Sequence, residues 1–331
     1  MKVTKNMIDE GLRGMADIIE KGMSPLLDGS KTIEEVLLSA APSYNEEDIL
    51  KGLKLEGIEC TAKFIDRKKD GTKLKIYIYR PINKVGNVPG ILWNHGGGYA
   101  MGDAHFNSAM YKRLIAESNC VIVAPEYRLS TEAPYPAALE DCYEALLWLK
   151  ENAKELEVRA DQIMIGGESA GGGLTAALSL YARDKGEVNI AFQMPLYPMI
   201  DDRMITESAK NNNAPVWNSN LNEWAWKLYL GNLYEKDVPE YAAAARATNY
   251  KNLPPTVTFV GDLEPFRDET IEYVENLKKA GVPVNFELYK GCYHGFDIAC
   301  PDAHISKRAI KFFIESFKYA VNNYFAAQIK K

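Results

Sequence analysis

Gly167-Glu168-Ser169-Ala170-Gly171 stands between the apolar run Ile163-Met164-Ile165 and the helix-like stretch Leu174 to Ala182. A strand has to turn sharply into a helix at Ser169. Such a turn holds the serine backbone in a strained conformation, and a Cβ two positions before or after it would clash, so both glycines are a steric requirement. The hydroxyl then stands above the sheet, beside a helix N-terminus whose dipole and free N–H groups favour negative charge on a reacting oxygen. At average composition a Gly-x-Ser-x-Gly string arises by accident in roughly one chain in ten of this length. A plain glycine loop is therefore the competing reading, and independent support is required.

That support lies upstream, in Trp93-Asn94-His95-Gly96-Gly97-Gly98-Tyr99. Three glycines directly after the strand-like run Gly90 to Trp93 would weaken packing unless the backbone itself is wanted for contact. An ester carbonyl attacked by Ser169 becomes an oxyanion. The N–H groups of Gly97, Gly98 and Ala170 are the candidates to receive it, each worth about 3 to 4 kcal/mol of transition-state stabilisation. A phosphate-binding loop is the alternative, but the lysine and hydroxyl that such a loop carries after its glycines are missing here.

A serine hydroxyl needs a base to take its proton, and histidine titrates in the useful range. The chain has four histidines. His95 opens the glycine loop and reads as a loop-organising hydrogen-bonder. His105, near the start of an expected helix, and His304, in the first turn of the last one, read as surface residues. His294 lies in Gly291-Cys292-Tyr293-His294-Gly295-Phe296, after the strand-like run Val284 to Tyr289. In α/β-hydrolases the chain order is nucleophile, acid, histidine, which makes His294 the expected base. The acid should follow the preceding strand, Thr256 to Val260, where Gly261-Asp262-Leu263-Glu264-Pro265-Phe266-Arg267-Asp268-Glu269 offers several carboxylates. Spacing does not choose between Asp262 and Glu264.

From about Lys63 to its end the chain resembles the hormone-sensitive-lipase-like branch of the α/β-hydrolase carboxylesterases. His95-Gly96-Gly97-Gly98 matches that family's oxyanion motif, and Gly167 to Gly172 is similar to its Gly-Asp-Ser-Ala-Gly-Gly elbow. The run Tyr127-Arg128-Leu129-Ser130-Thr131-Glu132 is similar to its Tyr-Arg-Leu-Ala-Pro-Glu, and His294-Gly295-Phe296 matches its histidine motif. The family's acid motif, Asp-Pro-Leu-x-Asp, aligns its proline with Pro265, counting from Pro254-Pro255. The resemblance thus implies Glu264 as triad acid, a glutamate where aspartate is usual, with Asp268 as the trailing aspartate. Glu168 likewise replaces an aspartate and is expected to support by hydrogen bonding without reacting. The Tyr127 to Asp141 run is expected to hold structure.

The expected fold is an α/β-hydrolase fold, with a mostly parallel central sheet, helices on both faces and a helical cap. An antiparallel hairpin of Phe64 to Asp66 and Leu74 to Tyr79, turning through Asp70-Gly71, opens it. Strand-like runs follow at Ile91 to Trp93, Val121 to Ala124, Ile163 to Ile165, Ile190 to Met194, Val257 to Val260 and Val284 to Tyr289. Helical patterns separate most of them, over Ser108 to Ser118, Ala137 to Asn152, Ala170 to Arg183, Asp268 to Ala280 and Ala303 to Ala326. Two regions break the alternation. Residues 1 to 60 carry short amphipathic patterns (Met7, Leu12, Met15, Ile18-Ile19) interrupted by Gly22 and Pro25. Residues 200 to 240 run from Asn211-Asn212-Asn213 to Trp217, Leu221, Trp224, Trp226, Leu228 and Tyr229. The resemblance implies that these two pieces pair as a cap over Ser169, with residues 61–331 as the catalytic domain. Those aromatic residues read as core more than as substrate contacts.

Composition sets further bounds. At 331 residues the chain can bury a sizeable core, and its hydrophobic share of 47% is ordinary for a globular protein. A formal charge of −6 without a basic stripe argues against nucleic acid as partner. The polar stretch Met1 to Glu10 shows no secretory leader, and no apolar run is long enough to span a bilayer. A cytoplasmic protein without stable membrane association is expected. The five cysteines, Cys60, Cys120, Cys142, Cys292 and Cys300, are scattered without metal-type pairing and read as reduced thiols. Cys292 reads as a loop-packing thiol, with oxidation-sensitive inhibition as its functional alternative.

The expected chemistry is two-step acyl transfer on short-acyl esters of small molecules. Ser169 is the nucleophile, His294 the base and Glu264 the orienting acid, and no cofactor or metal is required. An amidase or deacetylase using the same triad is the alternative. A non-catalytic ligand receptor on the same fold is a third reading, against which the presence of His294 counts. The sequence is compatible with a homo-oligomer.

Overall fold

The computed structural model describes residues 1–27, 30–39, 45–83 and 86–328. Eight strands form one sheet: β1 (Ile58–Asp66), β2 (Lys73–Pro81), β3 (Val88–Asn94), β4 (Val121–Pro125), β5 (Val158–Glu168), β6 (Phe192–Leu196), β7 (Thr256–Gly261) and β8 (Val284–Tyr289). Their order is β1-β2-β4-β3-β5-β6-β7-β8. The β1–β2 and β2–β4 pairs are antiparallel, and all later pairs are parallel. Strands β3, β4, β6 and β7 are buried along their whole length, as parallel strands covered on both faces must be.

The helices are α1 (Arg13–Leu27), α2 (Ile33–Ser39), α3 (Glu46–Leu55), α4 (Ser108–Ser118), α5 (Ala137–Glu151), α6 (Ala170–Lys185), α7 (Ser219–Leu230), α8 (Arg267–Lys279), α9 (Phe296–Ala299) and α10 (His304–Asn323). Strand alternation distributes side chains between two apolar cores. Ile91, Trp93, Ile122 and Met164 join Tyr111 and Leu114 of α4 and Phe313 and Phe317 of α10. Leu92, Val121, Val123, Ile163 and Ile165 join Leu146 and Leu149 of α5 and Leu174 and Leu178 of α6. The central strands are thereby dry on both sides, and the parallel strands deliver their C-terminal ends to one rim, where the loops after β3, β5, β7 and β8 meet.

Several expectations change in detail. The opening hairpin is longer than its apolar alternation suggested, pairing Ile58 with Pro81 through to Asp66 with Lys73. Strand β6 begins at Phe192, because Ile190 packs into the α5–α6 core ahead of the sheet. Gly22 and Pro25 do not interrupt α1. Proline lacks the N–H that would bond Lys21 O, and the Ser24 hydroxyl donates to that carbonyl at 2.9 Å in its place. His105 is not a surface residue. It is 4% exposed, with Nδ1 2.5 Å from Tyr79 Oη and Nε2 3.5 Å from Glu46 Oε1, because the loop after Gly102 folds back over β2.

Residues 1–12 run across the rim that the strand ends form. Val3 N–H donates to Asn213 Oδ1 at 2.7 Å, Asp9 N–H to Gly291 O at 2.9 Å, and the Tyr293 hydroxyl to Leu12 O at 3.3 Å. Trp224 Nε1 of α7 donates to Glu34 Oε1 of α2 at 2.6 Å.

On the opposite side of the loop after β4, the fully buried Asp141 accepts from two arginines. Arg67 donates through Nε at 2.6 Å and Nη2 at 3.1 Å, and Arg128 through Nη2 at 2.8 Å and Nε at 3.0 Å. Arg128 N–H adds a fifth bond at 2.9 Å. The Tyr127 to Asp141 run is thus tied to the hairpin by charge. Burial opposes ionisation of Asp141, but the bonds from Arg67 and Arg128 outweigh it and hold the carboxyl below its usual range. Its stabilisation is present above the ordinary aspartate pKa and is lost as pH falls through the depressed one. Asp141→Asn is expected to cost about 3 kcal/mol in urea unfolding at neutral pH, since it leaves two arginines facing a neutral group. A cost below about 1 kcal/mol would show that the cluster only breaks even against solvation.

Candidate active site

Ser169 occupies the turn between β5 and α6 with φ 57° and ψ −120°, a conformation that L residues rarely adopt. The neighbouring glycines explain how the turn fits. A Cβ at Gly167 would lie 2.5 Å from both Asn94 O and Gly171 O, and one at Gly171 would run into Asn94 O. The elbow and the end of β3 are therefore in backbone-to-backbone contact. Ser169 N–H donates to Leu196 O at 3.0 Å, while Ser169 O accepts from Gly173 N–H at 2.9 Å and Met199 N–H at 3.0 Å. These bonds fix the strained residue from both neighbouring segments.

The loop after β3 follows the same logic. Gly97 and Gly98 have φ of 114° and 59°, and a Cβ on Gly97 would strike Met101 O. Gly97 O accepts from Ala100 N–H and Met101 N–H, both at 3.0 Å, whereas the N–H groups of Gly97 and Gly98 meet no acceptor among the described residues. Glu168 anchors the loop to the elbow. Its Oε1 accepts from Gly96 N–H at 2.5 Å and its Oε2 from Trp93 Nε1 at 2.9 Å. His95 stacks on Tyr127 with ring centroids 4.1 Å apart, and its Nδ1 lies 2.8 Å from Gly96 O. Burial pushes the His95 imidazole down to about 4, so it is neutral at physiological pH.

Burial also pushes the Glu168 carboxyl up to about 8, against the opposing bonds from Gly96 and Trp93. An unfolded glutamate gives up its proton near 4.5, whereas the folded one keeps it. Between those values the native state binds more protons, so this group makes stability fall as pH rises from about 4.5 to about 8. Glu168→Gln is expected to remove that part of the slope, worth of order a few kcal/mol across the window. Losing one acceptor adds an offset that does not vary with pH. Urea midpoints of both proteins at about pH 5 and about pH 8 check this; parallel changes would assign the slope to another group.

His294, on the loop between β8 and α9, reaches Ser169 Oγ with Nε2 at 2.8 Å. Its Nδ1 lies 2.5 Å from Glu264 Oε2. The other Glu264 oxygen, Oε1, accepts from Gly261 N–H at 2.8 Å, and the residue is fully buried. Asp262 takes a different direction: its Oδ1 accepts from Gly291 N–H at 2.6 Å and so ties the β7 loop to the start of the histidine loop. The imidazole is boxed by Phe266, Tyr197 and Trp217, with ring centroids at 4.9, 5.1 and 6.4 Å. Trp217 also lies against Gly98, where a Cβ would strike its ring.

His304 is exposed, and His105 lies in its own buried network with Tyr79 and Glu46. Cys292 is fully buried, and burial pushes its thiol pKa upward, which suits a packing role and opposes oxidation. Trp226, Tyr229 and Leu221 are core, while Trp217 is both core and the ring facing the imidazole. Glu269, one of the carboxylates after β7, and Asp297 are also buried acids with places of their own. Glu269 Oε1 accepts from Ile200 N–H at 2.8 Å and Asp201 N–H at 3.2 Å, fixing the start of the 200–240 segment. Asp297, three residues after His294, is 3% exposed. Each sits in the first turn of a helix, where acidic residues are common, so position alone did not single them out. Among the described residues no three His, Cys, Asp or Glu side chains come together as metal ligands, and no helix is long and apolar enough to cross a membrane.

Sheet order, elbow and glycine loop define an α/β-hydrolase. A family model for the alpha/beta hydrolase fold matches residues 91–298. The chain belongs to the hormone-sensitive-lipase-like branch of that family. It is 34% identical over 210 residues to Esterase LipI of Mycobacterium tuberculosis, covering 63% of this chain and 66% of that protein, slightly less than two thirds of the relative's length. It is 31% identical over 240 residues to an arylesterase of Saccharolobus solfataricus, covering 69% of this chain and 74% of that protein. A solved structure of a bacterial heroin esterase superposes with a TM-score of 0.84 at 32% identity, covering 96% of this chain and 99% of that one.

Proposed function

We propose that the protein is a serine carboxylesterase acting on short-acyl esters through an acyl-enzyme intermediate. The observation that carries this reading is the continuous chain Ser169 Oγ, His294 Nε2, His294 Nδ1, Glu264 Oε2, with links of 2.8 and 2.5 Å. The esterase names of its relatives support it. Ser169 Oγ attacks the ester carbonyl while His294 Nε2 takes its proton. Glu264 accepts the Nδ1 proton bond, which fixes the tautomer and steadies the imidazolium. The carbonyl oxygen, now negative, receives the N–H groups of Gly97, Gly98 and Ala170. His294 then protonates the leaving alcohol, and a water activated by the same imidazole releases the acid.

Residues 1–60 and 200–240 act in this reading as a cap. Support comes from the Trp224–Glu34 and Val3–Asn213 bonds, and from a cavity of about 650 Å³ between Ile19, Met23, Leu26 and Ile33 on one side and residues 212–220 on the other. The short-acyl preference rests on Trp217, whose ring fills the space over Gly98 and leaves little room beside the imidazole. A pre-steady-state burst of p-nitrophenol from the acetyl ester, fading as the acyl chain lengthens, is expected. A linear time course would mean that no acyl-enzyme accumulates, and a flat chain-length profile would remove the role given to Trp217.

A further inference from the structure

The α4–α10 side of the sheet holds a separate cavity of about 110 Å³, bounded by Trp93, Phe106, Tyr197, Ile298, Glu168 and Asp297. Ser169 and His294 are not part of its wall, although Tyr197 lies edge-on to the imidazole. Asp297 Oδ1 is buried and has no hydrogen-bond partner among the described residues, and Oδ2 has only the Tyr197 hydroxyl at 3.4 Å. A buried carboxylate left in this state costs several kcal/mol unless something compensates it. Burial pushes its pKa up to about 6, which still leaves it ionised at neutral pH. Both Glu168 oxygens are already engaged, accepting from Gly96 N–H and Trp93 Nε1–H, and burial pushes its carboxyl up to about 8. Asp297 Oδ1 is therefore the one carboxylate oxygen on this wall left without a hydrogen-bond partner among the described residues.

Apart from the Asn107 amide, whose buried Nδ2 has no hydrogen-bond partner among the described residues, and Arg113, the rest of the wall is aromatic and aliphatic. Aromatic faces attract cations and do nothing for anions. A hard metal ion would want six or more oxygen ligands, which this wall does not supply. The space matches roughly four waters, close to the bulk of a trimethylammonium head. Phe106 and Ile298, each 40% exposed, frame the mouth. Arg113 at the rim is exposed and lies within ion-pair distance of neither carboxylate, so water screens it from the interior. We propose that this cavity binds an alkylammonium group, with Asp297 Oδ1 as counter-ion and Trp93, Tyr197 and Phe106 as its aromatic wall.

Such a group can belong to the alcohol half of an ester or to a free amine, and two measurements separate these sources. Binding is measured by calorimetry with tetramethylammonium on the Ser169→Ala protein, so it stands whether or not the esterase reading holds. Saturable binding is expected, weakened at least about tenfold by Asp297→Asn and by Ile298→Trp, with no binding of the neutral isostere tert-butanol. Ile298 lies at the rim, so its variant keeps the test decisive if Asp297→Asn fails to fold. The second measurement, which rests on the esterase reading, compares kcat/KM for the acetyl ester of choline with that of its tert-butyl isostere. A preference for the charged ester that Ile298→Trp abolishes assigns the site to substrate; binding without that preference assigns it to a free amine. Absence of saturable binding to folded protein, equal affinity in Asp297→Asn, or equal affinity for the isostere overturns the proposal.

Discussion

Ser169→Ala is expected to lower kcat on a p-nitrophenyl acetyl ester by about 10⁶ while leaving the fold intact. The size follows from the way the site acts as a unit. Without Oγ there is no nucleophile whose proton His294 Nε2, at 2.8 Å, can take, and the peptide N–H groups can only polarise a carbonyl that water must attack unaided. Alanine also accepts the φ of 57° about as readily as serine, so stability should move little and the loss can be read as chemistry. Thermal midpoints of the two proteins within a few degrees, together with residual turnover of about 10³ to 10⁴ over water, complete the expected picture. Retention of more than about a tenth of wild-type activity would remove Ser169 from the mechanism.

Glu264→Ala is expected to lower kcat by about 10⁴, and Asp262→Ala by only about tenfold. Both acids lie on one short loop after β7, and their chemistry is the same. They differ in what they touch. Glu264 faces the imidazole Nδ1 at 2.5 Å, so its loss frees the ring to rotate and leaves any imidazolium unpaired in a dry site. Asp262 bonds Gly291 N–H at 2.6 Å, three residues before His294, so its loss relaxes the loop that carries the base without removing the base's partner. Steady-state kinetics of both variants on one ester check this. The opposite ranking, with Asp262→Ala the more damaging, would transfer the orienting role to Asp262. Glu264→Asp should recover part of the loss, since the missing methylene lengthens the bond to Nδ1 without deleting it.

Much of this arrangement was legible in the chain because it rests on local sterics and on order along the sequence. Gly167 and Gly171 are needed wherever a serine sits at a strand-to-helix turn, and the packing of both against Asn94 O is the physical form of that need. The apolar runs at Val121 to Ala124 and Val257 to Val260 read as strands buried on both faces, and they are. The succession of glycine loop, elbow, acidic loop and histidine loop follows from strands delivered to a single rim. Helix α4 runs over the very residues that its periodicity indicated, Ser108–Ser118, since its apolar positions face the sheet in a regular repeat.

What local pattern does not carry is the direction of a side chain leaving an irregular loop and the amount of water left around it. Asp262 and Glu264 are alike in spacing, and only the path of the chain between β7 and α8 turns one toward His294 and the other toward Gly291. His105 lies beside charged Asp103 in the sequence, yet the back-folding of its loop onto Tyr79 buries it. Asp297 looks like an ordinary first-turn acid until Trp93 and Tyr197, from two other strands' ends, close a cavity around it. The sheet, the strained serine and the order of the loops were readable along the chain, because these depend on backbone sterics and apolar period. Spacing left Asp262 and Glu264 equivalent and only the family motif favoured Glu264; which carboxylate meets the imidazole and which acids lose their water depends on atoms brought together from distant parts of the chain.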